Sequence, residues 1–293
     1  AGVCNLTECV IRPEDTEENI KEKITIATFL GTVQSALTNF RYVRTVWRKN
    51  AEEERLLGVS FTGVFDCPIL VNATDEKLQE WKQLAVDENK TWAKLFKINQ
   101  SAAVTCIKPS GTVSQLTGVA SSGLHPSYSK YYIRRVRQDK KDPLNEVIIN
   151  ANVPCEIDPY NSEAVVFSFP MKAPKGSMIK DSVSAIQHLE IWKKFALNWC
   201  EHKPSVTIYV SEEEWMEVGA WCYKNFDILS GVSFLPKSDD QHIYEAAPYT
   251  EITFDEWKTF PQNKDIAWDE VKETEDNTTA SQELACFAGV CEI

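Results

Sequence analysis

The 293-residue chain contains no run of about 18 apolar residues, which excludes a helix long enough to span a bilayer. No leader of charged, then apolar, then small residues opens it, so no secretion signal is expected. It has no Cys-x-x-Cys and no Cys/His cluster with zinc spacing, so no metal site is expected. Positive charge is scarce: 31 Lys and Arg stand against 43 Asp and Glu, for a net charge of -12. A field of that sign disfavours nonspecific binding to nucleic acid or to an anionic membrane. An anionic small substrate would need local help, from helix N-termini or a few placed basic groups. No internal repeat of fixed period stands out.

What is present suits a folded catalyst or binding protein. The chain is 43% hydrophobic and 11% aromatic, enough for one large domain or two ordinary ones. Nine cysteines lie scattered at 4, 9, 67, 106, 155, 200, 222, 286 and 291. Their odd number and wide scatter suit a reducing cytoplasm, with most thiols simply buried. Five Asn-x-Ser/Thr sequons, beginning at Asn5, Asn72, Asn89, Asn99 and Asn277, read as chance in that compartment. The first residue, Ala1, sits directly before the dense motif Gly2-Val-Cys-Asn-Leu-Thr-Glu-Cys9. A domain rarely begins inside a motif, so truncation, processing or a split gene is expected.

Apolar strands alternate with amphipathic helices. Residues 14 to 50 predict a helix, capped by Asp15 or Thr16, with Ile20, Ile24, Ala27 and Leu30 on one stripe. Residues 75 to 98 predict a second, carrying Leu78, Trp81, Leu84 and Leu95. Strands are expected at 58–63, 102–107, 164–169, 206–210 and 231–235. Further helices are expected from about Ser182 to Cys200 and from Glu212 to about Asn225, the last opened by a Ser211/Glu214 capping box. The pattern is that of an α/β fold with a mostly buried sheet. From Asp269 to Gln282 the text turns acidic and polar and reads as a mobile tail.

Four stretches can carry chemistry, and each admits a plain reading beside the functional one. Cys286 and Cys291 are separated by four residues, two of them small, and such a loop can bend to close a disulfide. The tether from Trp268 has a root-mean-square span of about 25 Å as a flexible coil. A dithiol on that arm could shuttle electrons by thiol–disulfide exchange; equally, it is a disordered end with two incidental cysteines. Lys108-Pro-Ser-Gly-Thr-Val-Ser-Gln115 follows a strand and opens a helix. Gly111 permits close approach, Ser110 and Thr112 offer hydroxyls, and the first helical N–H groups are unpaired, as in a phosphate cradle. An ordinary capped turn has the same composition. Next come His125 and the basic segment Ser129 to Arg137, where anion contacts compete with salt bridges that satisfy surplus carboxylates, and acid–base work by His125 competes with a structural hydrogen bond. Finally, Cys4 in Val3-Cys-Asn-Leu-Thr-Glu8 is either a redox thiol or the end of a buried strand.

Together these stretches resemble the class II, adenosylcobalamin-dependent ribonucleotide reductases, with greatest similarity to the monomeric ribonucleoside-triphosphate reductases. Cys4 to Glu8 resembles the segment carrying the second thiol of the active-site redox pair. Lys108 to Thr112 resembles the substrate-phosphate loop, with Pro109, Ser110, Gly111 and Thr112 as substrate-binding residues. Leu124-His-Pro126 followed by Tyr131 to Arg135 matches the segment after it. Gly231 to Ser238 with Tyr244 to Tyr249 is similar to a late barrel strand and loop, and Cys286 and Cys291 match the shuttle cysteines. The resemblance covers the whole chain, and its motifs are weak singly but strong in this order.

The resemblance implies the second half of a ten-stranded α/β barrel over residues 1–268 and a mobile tail with a redox dithiol over 269–293. In the family a radical cysteine lies a short way upstream of the position of Cys4. The resemblance therefore implies that this cysteine, its assisting acid, the partner thiol of Cys4 and the effector region lie outside this chain. The chain alone is then expected not to reduce ribonucleotides. The implied reactants are a ribonucleoside tri- or diphosphate, adenosylcobalamin, thioredoxin or a similar reductant, and the N-terminal part of the same enzyme. The alternatives are a class I large subunit, which carries adjacent tyrosines shortly before its tail where this chain has no Tyr after Thr250, and a non-catalytic nucleotide-binding remnant.

Overall fold

The computed structural model describes residues 2–237, 245–261 and 266–272, and the backbone of 286–287 and 290–291. In chain order the first elements are β1 (Asn5–Val10), α1 (Glu17–Ser35), α2 (Thr45–Glu54), β2 (Leu57–Thr62), α3 (Pro68–Val71), α4 (Asp75–Phe96) and α5 (Gly111–Leu116). Then follow β3 (Tyr131–Asp139), α6 (Leu144–Asn150), β4 (Cys155–Ile157), β5 (Ala164–Lys172), α7 (Ala185–Asn198), β6 (Val206–Val210) and α8 (Trp215–Lys224). The last are β7 (Val232–Pro236), β8 (Tyr249–Glu251), α9 (Phe254–Thr259), β9 (Cys286–Phe287) and β10 (Val290–Cys291).

The chain divides into two compact units, one of Ala1–Ser127 with Pro174–Lys237, the other of Tyr128–Ala173 with Ser238–Glu292. In the first unit β1 and β2 pair in parallel, with Asn5 opposite Leu57 and Val10 opposite Thr62. Parallel neighbours need a crossover, and α1 and α2 supply it. Thr16, not Asp15, caps α1: its hydroxyl accepts from the Asn19 N–H at 3.3 Å, and Asn19 Oδ1 accepts the Thr16 N–H at 3.0 Å. Asp15 instead accepts the Arg12 N–H at 2.7 Å and pairs with Lys23. The single helix expected over 14–50 is two helices. Residues 36–44 interrupt it, and α2 restarts without a side-chain cap.

Every residue of β2 is buried, as expected of a parallel strand covered on both faces. The segment expected as a strand at 102–107 runs along its other edge. Val59 bridges Thr105 in parallel, and the Leu57 N–H donates to the Ala103 carbonyl at 2.9 Å. Strands β6 and β7 form a second parallel pair, Val206 opposite Val232. One core cluster joins these pieces, built on Ile20, Ile24, Leu57, Phe61, Trp81, Trp192, Trp199 and Ile208. Trp199 closes it over the 102–107 edge, where its indole N–H donates to the Cys106 carbonyl at 2.8 Å. Helix α7 starts from a Ser184 cap, and the Ser211/Glu214 box opens a short 3-10 turn that leads into α8.

The second unit is an antiparallel sheet in the order β4-β5-β3-β8, with its own small core of Val147, Ile148, Val153, Val165 and Phe167. Its longest strand, β3, is the basic Tyr131–Asp139 segment. The molecule is thus α/β, and the second unit adds an antiparallel sheet to the alternation visible in the sequence. Among the described residues no helix is long and apolar enough to cross a membrane.

Candidate active site around Cys4 and the 108–112 loop

The β1–β2–edge arrangement brings together two of the stretches singled out in the sequence. Cys4 immediately precedes β1 and is a free, exposed thiol. Gly58, opposite Leu6 on β2, lies close to it. A Cβ built there would lie 2.4 Å from Leu6 Cδ2, 3.0 Å from Cys106 Sγ and 3.2 Å from Cys4 Sγ. Any side chain at Gly58 would have to displace Leu6 and would crowd both thiols. Cys106, one of nine scattered cysteines in the sequence, is a neighbour of Cys4 in the fold. Burial pushes the Cys106 thiol up to about 12, although Lys108 pulls it down. The Cys4 thiol is also raised, by partial desolvation that the Lys108 ammonium opposes.

The loop beyond Cys106 is tied to β1 by Glu8. Its Oε1 accepts hydrogen bonds from Ser110 Oγ at 2.6 Å and from Ser60 Oγ at 3.1 Å. Ser60, fully buried on β2, in turn accepts the Lys108 N–H at 3.0 Å. Burial pushes the Glu8 carboxyl up to about 7 against the pull of the two hydroxyls. Ser110 sits in the left-handed region, φ 56° and ψ 28°, as the residue preceding α5. Non-glycine residues enter that region at a cost, so the bond to Glu8 helps hold the turn. Behind the loop, Gly123 at φ 53° approaches so closely that a Cβ would fall 2.1 Å from the Lys108 carbonyl oxygen. Ser114 and Ser122 share a hydrogen bond at 2.8 Å. Asp66 accepts the Ser121 N–H at 2.6 Å and the Ser127 hydroxyl at 3.2 Å, so the segment after the loop is docked on the end of β2.

Of the four predicted loop residues, Pro109, Ser110 and Gly111 are half-buried and Thr112 is exposed. The amides of residues 111–113 precede the first intrahelical bond, Ser114 N–H to the Ser110 carbonyl, and such amides lack intrahelical acceptors. His125 is structural. Its Nε2 accepts the Thr207 N–H at 3.0 Å and its Nδ1 donates to the Ser122 carbonyl at 2.7 Å. Burial holds it neutral, pushed down to about 4. The basic segment also resolves toward structure. Within the second unit, Arg135 donates to the Ala247 carbonyl at 2.9 Å and Thr250 Oγ1 at 2.5 Å. Arg137 donates to Asp158 at 2.6 Å and the Ala246 carbonyl at 2.9 Å, and Arg134 lies 4.5 Å over the Tyr249 ring. The side chains of Cys286 and Cys291, and residues 273–285 of the tail, lie outside the described residues. The backbone of β9 and β10 pairs antiparallel with Cys286 opposite Cys291.

No family model matches the chain. Its fold is similar to that of a solved protein: a crystal structure of a B12-dependent, class II ribonucleotide reductase superposes with a TM-score of 0.72 at 22% identity, covering 88% of this chain and 40% of that one. More particularly, the chain is homologous to adenosylcobalamin-dependent ribonucleoside-triphosphate reductases. It is 26% identical to the enzyme so named from Lactobacillus acidophilus, over 99% of this chain and 43% of the relative. It is 28% identical to the Euglena gracilis enzyme of the same name, over 80% of this chain and 33% of the relative. A Dictyostelium discoideum protein, named a probable enzyme of that kind, is 33% identical over 62% of this chain and 22% of its own length. The chain thus matches less than half the length of each of these relatives.

Proposed function

We propose that the chain is the C-terminal portion of an adenosylcobalamin-dependent ribonucleoside-triphosphate reductase of the cytoplasm, residues 1–268 forming the second half-barrel and 269–293 a redox arm. The observation that carries the reading is the junction of Cys4, Glu8 and the 108–112 loop across one strand pair. It sets a free thiol beside a turn whose first amides, at 111–113, lack intrahelical acceptors, which supports a role in receiving phosphate. In this reading Pro109, Ser110, Gly111 and Thr112 receive the phosphates of a ribonucleotide, the triphosphate by analogy with the relatives. Cys4 donates reducing equivalents to the 2′-position with a partner thiol from the N-terminal part, and the two become a disulfide. Cys286 and Cys291 reduce that disulfide by exchange and are restored by thioredoxin or a similar protein. The opposed register of β9 and β10 supports the last step, because directly paired strand positions have Cα separations within the range a disulfide spans.

Adenosylcobalamin would supply the initiating radical when bound. Among the described residues His125, His188 and His202 each bond a backbone carbonyl through a ring nitrogen, so those nitrogens are not free to ligate its cobalt.

The test is deoxynucleotide formation by the enzyme assembled with its N-terminal part, using thioredoxin or dithiothreitol in turn. Cys4→Ser is expected to abolish turnover with either reductant. Cys286→Ser or Cys291→Ser is expected to abolish the thioredoxin-driven reaction and keep much of the dithiothreitol-driven one. Gly111→Val should raise KM strongly, since its methyls would fill space needed by phosphate. Equal loss with both reductants in the tail variants would withdraw the shuttle. An assembled enzyme indifferent to Cys4→Ser would leave a non-catalytic nucleotide-binding remnant as the better reading.

A further inference from the structure

We infer that Glu8 is a positioning residue that fixes the 108–112 loop to the strand carrying Cys4 and, through the loop, sets the distance at which Lys108 acts on that thiol. The inference rests on the reading of Cys4 and the loop as two sides of one site. Its grounds are geometric. One carboxylate oxygen receives two serine hydroxyls, from β2 and from the loop, at 3.1 and 2.6 Å. One of those serines also takes the Lys108 amide, so the chain of bonds runs unbroken from β1 to the loop backbone. The loop residue it holds, Ser110, is in a left-handed conformation that glycine adopts more readily. The Ser110 hydroxyl also reaches the local Lys108 carbonyl, at 3.1 Å, but its shorter bond, at 2.6 Å, is to an acceptor 102 residues away.

The titratable groups around Glu8 are few. Cys9 neighbours it on β1, and Cys106 lies on the edge segment beyond β2; the thiols of both are raised by burial and by the Glu8 charge. Lys108, on the loop, is the cation that lowers both Cys4 and Cys106. On α1, packed against β1, Lys23 is paired with Asp15 and acts on Cys9. Among these groups only Lys108 pulls the Cys4 thiol down. A loop released from Glu8 carries Lys108 with it, and Cys4 then keeps its desolvation without its cation.

That consequence separates positioning from mere stability. Glutamine at position 8 keeps an oxygen for both hydroxyls; alanine keeps none. The experiment uses the 293-residue chain, measuring the pH profile of Cys4 alkylation by iodoacetamide, read on its own peptide by mass spectrometry, and amide exchange at Lys108 and Ser114. Glu8→Ala is expected to shift the Cys4 midpoint upward by about half a unit or more and to speed exchange at both amides about tenfold or more. Glu8→Gln is expected to restore both to within about twofold of the unaltered chain. If Glu8→Ala does not fold, Ser110→Ala removes the hydroxyl that bonds Glu8, and with it the longer contact to the Lys108 carbonyl, and must give the same upward shift. An unmoved Cys4 midpoint in a folded Glu8→Ala or Ser110→Ala chain overturns the inference. So does a Gln variant that behaves like Ala. These readouts need no nucleotide. A loop that Glu8 positions as expected, but whose Gly111→Val change leaves KM unaltered in the assembled enzyme, would sink the substrate-loop reading alone.

Discussion

Two loops in this chain are pinned to a neighbouring sheet by side chains, and they are pinned by opposite chemistry. In the first unit a half-buried carboxyl, Glu8, gathers hydroxyl donors from Ser110 and Ser60. In the second, two guanidinium groups, Arg135 and Arg137, gather the carbonyls of Ala247 and Ala246. An arginine stays charged across the accessible pH range, so the second clasp has a fixed strength. A carboxyl pushed up to about 7 changes charge near neutrality, so the first does not. The difference also concerns charge placement. In an acidic chain the cations hold backbone in place in one unit, while the turn proposed to receive an anion is held by a group that can be neutral.

The largest effect should come from breaking the fixed clasp. The Asp158 side chain is 2% exposed and its partner Arg137 13% exposed. Arg137→Met leaves that carboxylate buried with its Tyr160 amide donor but without its cation. Removing one partner of a buried pair costs about 3–5 kcal/mol, and the lower end is expected here, measured by urea unfolding. A loss below about 1 kcal/mol would show that the pair is more hydrated than its burial indicates. Next is Gly123→Ala, for which both the positive φ and the 2.1 Å approach to the Lys108 carbonyl are adverse. A loss of roughly 3 kcal/mol is expected. Gly176→Ala is the matched control, with φ 88° but open space around the new Cβ; backbone strain alone should cost it about 1 kcal/mol.

The titrating clasp is tested by pH. The Glu8 carboxyl has an ordinary value of 4.5 and stands at about 7 in the folded chain. Between those values the folded chain holds a proton that the unfolded chain has released. The stability associated with that proton is complete below about pH 4.5 and is lost as pH rises through 7. Glu8→Gln removes the loss. The variant should therefore gain on the unaltered chain between pH 5 and pH 8, by at most roughly 3 kcal/mol. A difference that is flat in pH, or that grows toward acid, would place the Glu8 proton elsewhere.

How much of this was legible follows from sequence distance. Helix α4 and strand β2 stood where their periodicity put them, because a local pattern is enough for an amphipathic helix or a buried run. The alternation of strand and helix gave the α/β class, and the Cys4 and 108–112 stretches were marked by composition alone. Glu8 was not, although it sits in the same motif as Cys4, because its partners Ser60 and Ser110 are 52 and 102 residues away. Cys106 was invisible for the same reason: only the β1–β2–edge order sets it beside Cys4 across Gly58. Strand β3 was hidden by its arginines, which read as a charged segment until their acceptors in 246–250 and at Asp158 appeared. The break between α1 and α2 was masked by apolar residues such as Leu37, Phe40 and Val43, which carry no stop signal for a helix.

The smallest effect concerns what holds the arginine clasp together. Arg135 has two kinds of partner. It donates at 2.9 and 2.5 Å to the Ala247 carbonyl and the Thr250 hydroxyl, and its Nε lies 3.9 Å from Glu156 Oε1. The ion pair is the more conspicuous on paper, but its distance is outside hydrogen-bonding range and the Glu156 side chain is 57% exposed. At that exposure water screens the attraction, and fixing a long side chain in one geometry offsets much of what remains. The hydrogen bonds to the 247–250 segment have neither weakness. Glu156→Gln should therefore change stability by less than about 0.5 kcal/mol, with no dependence on added salt. The same urea unfolding at low and high ionic strength measures it. A loss above about 1 kcal/mol that salt abolishes would mean that Arg135 is oriented by Glu156, and the clasp would then be electrostatic on this side as well.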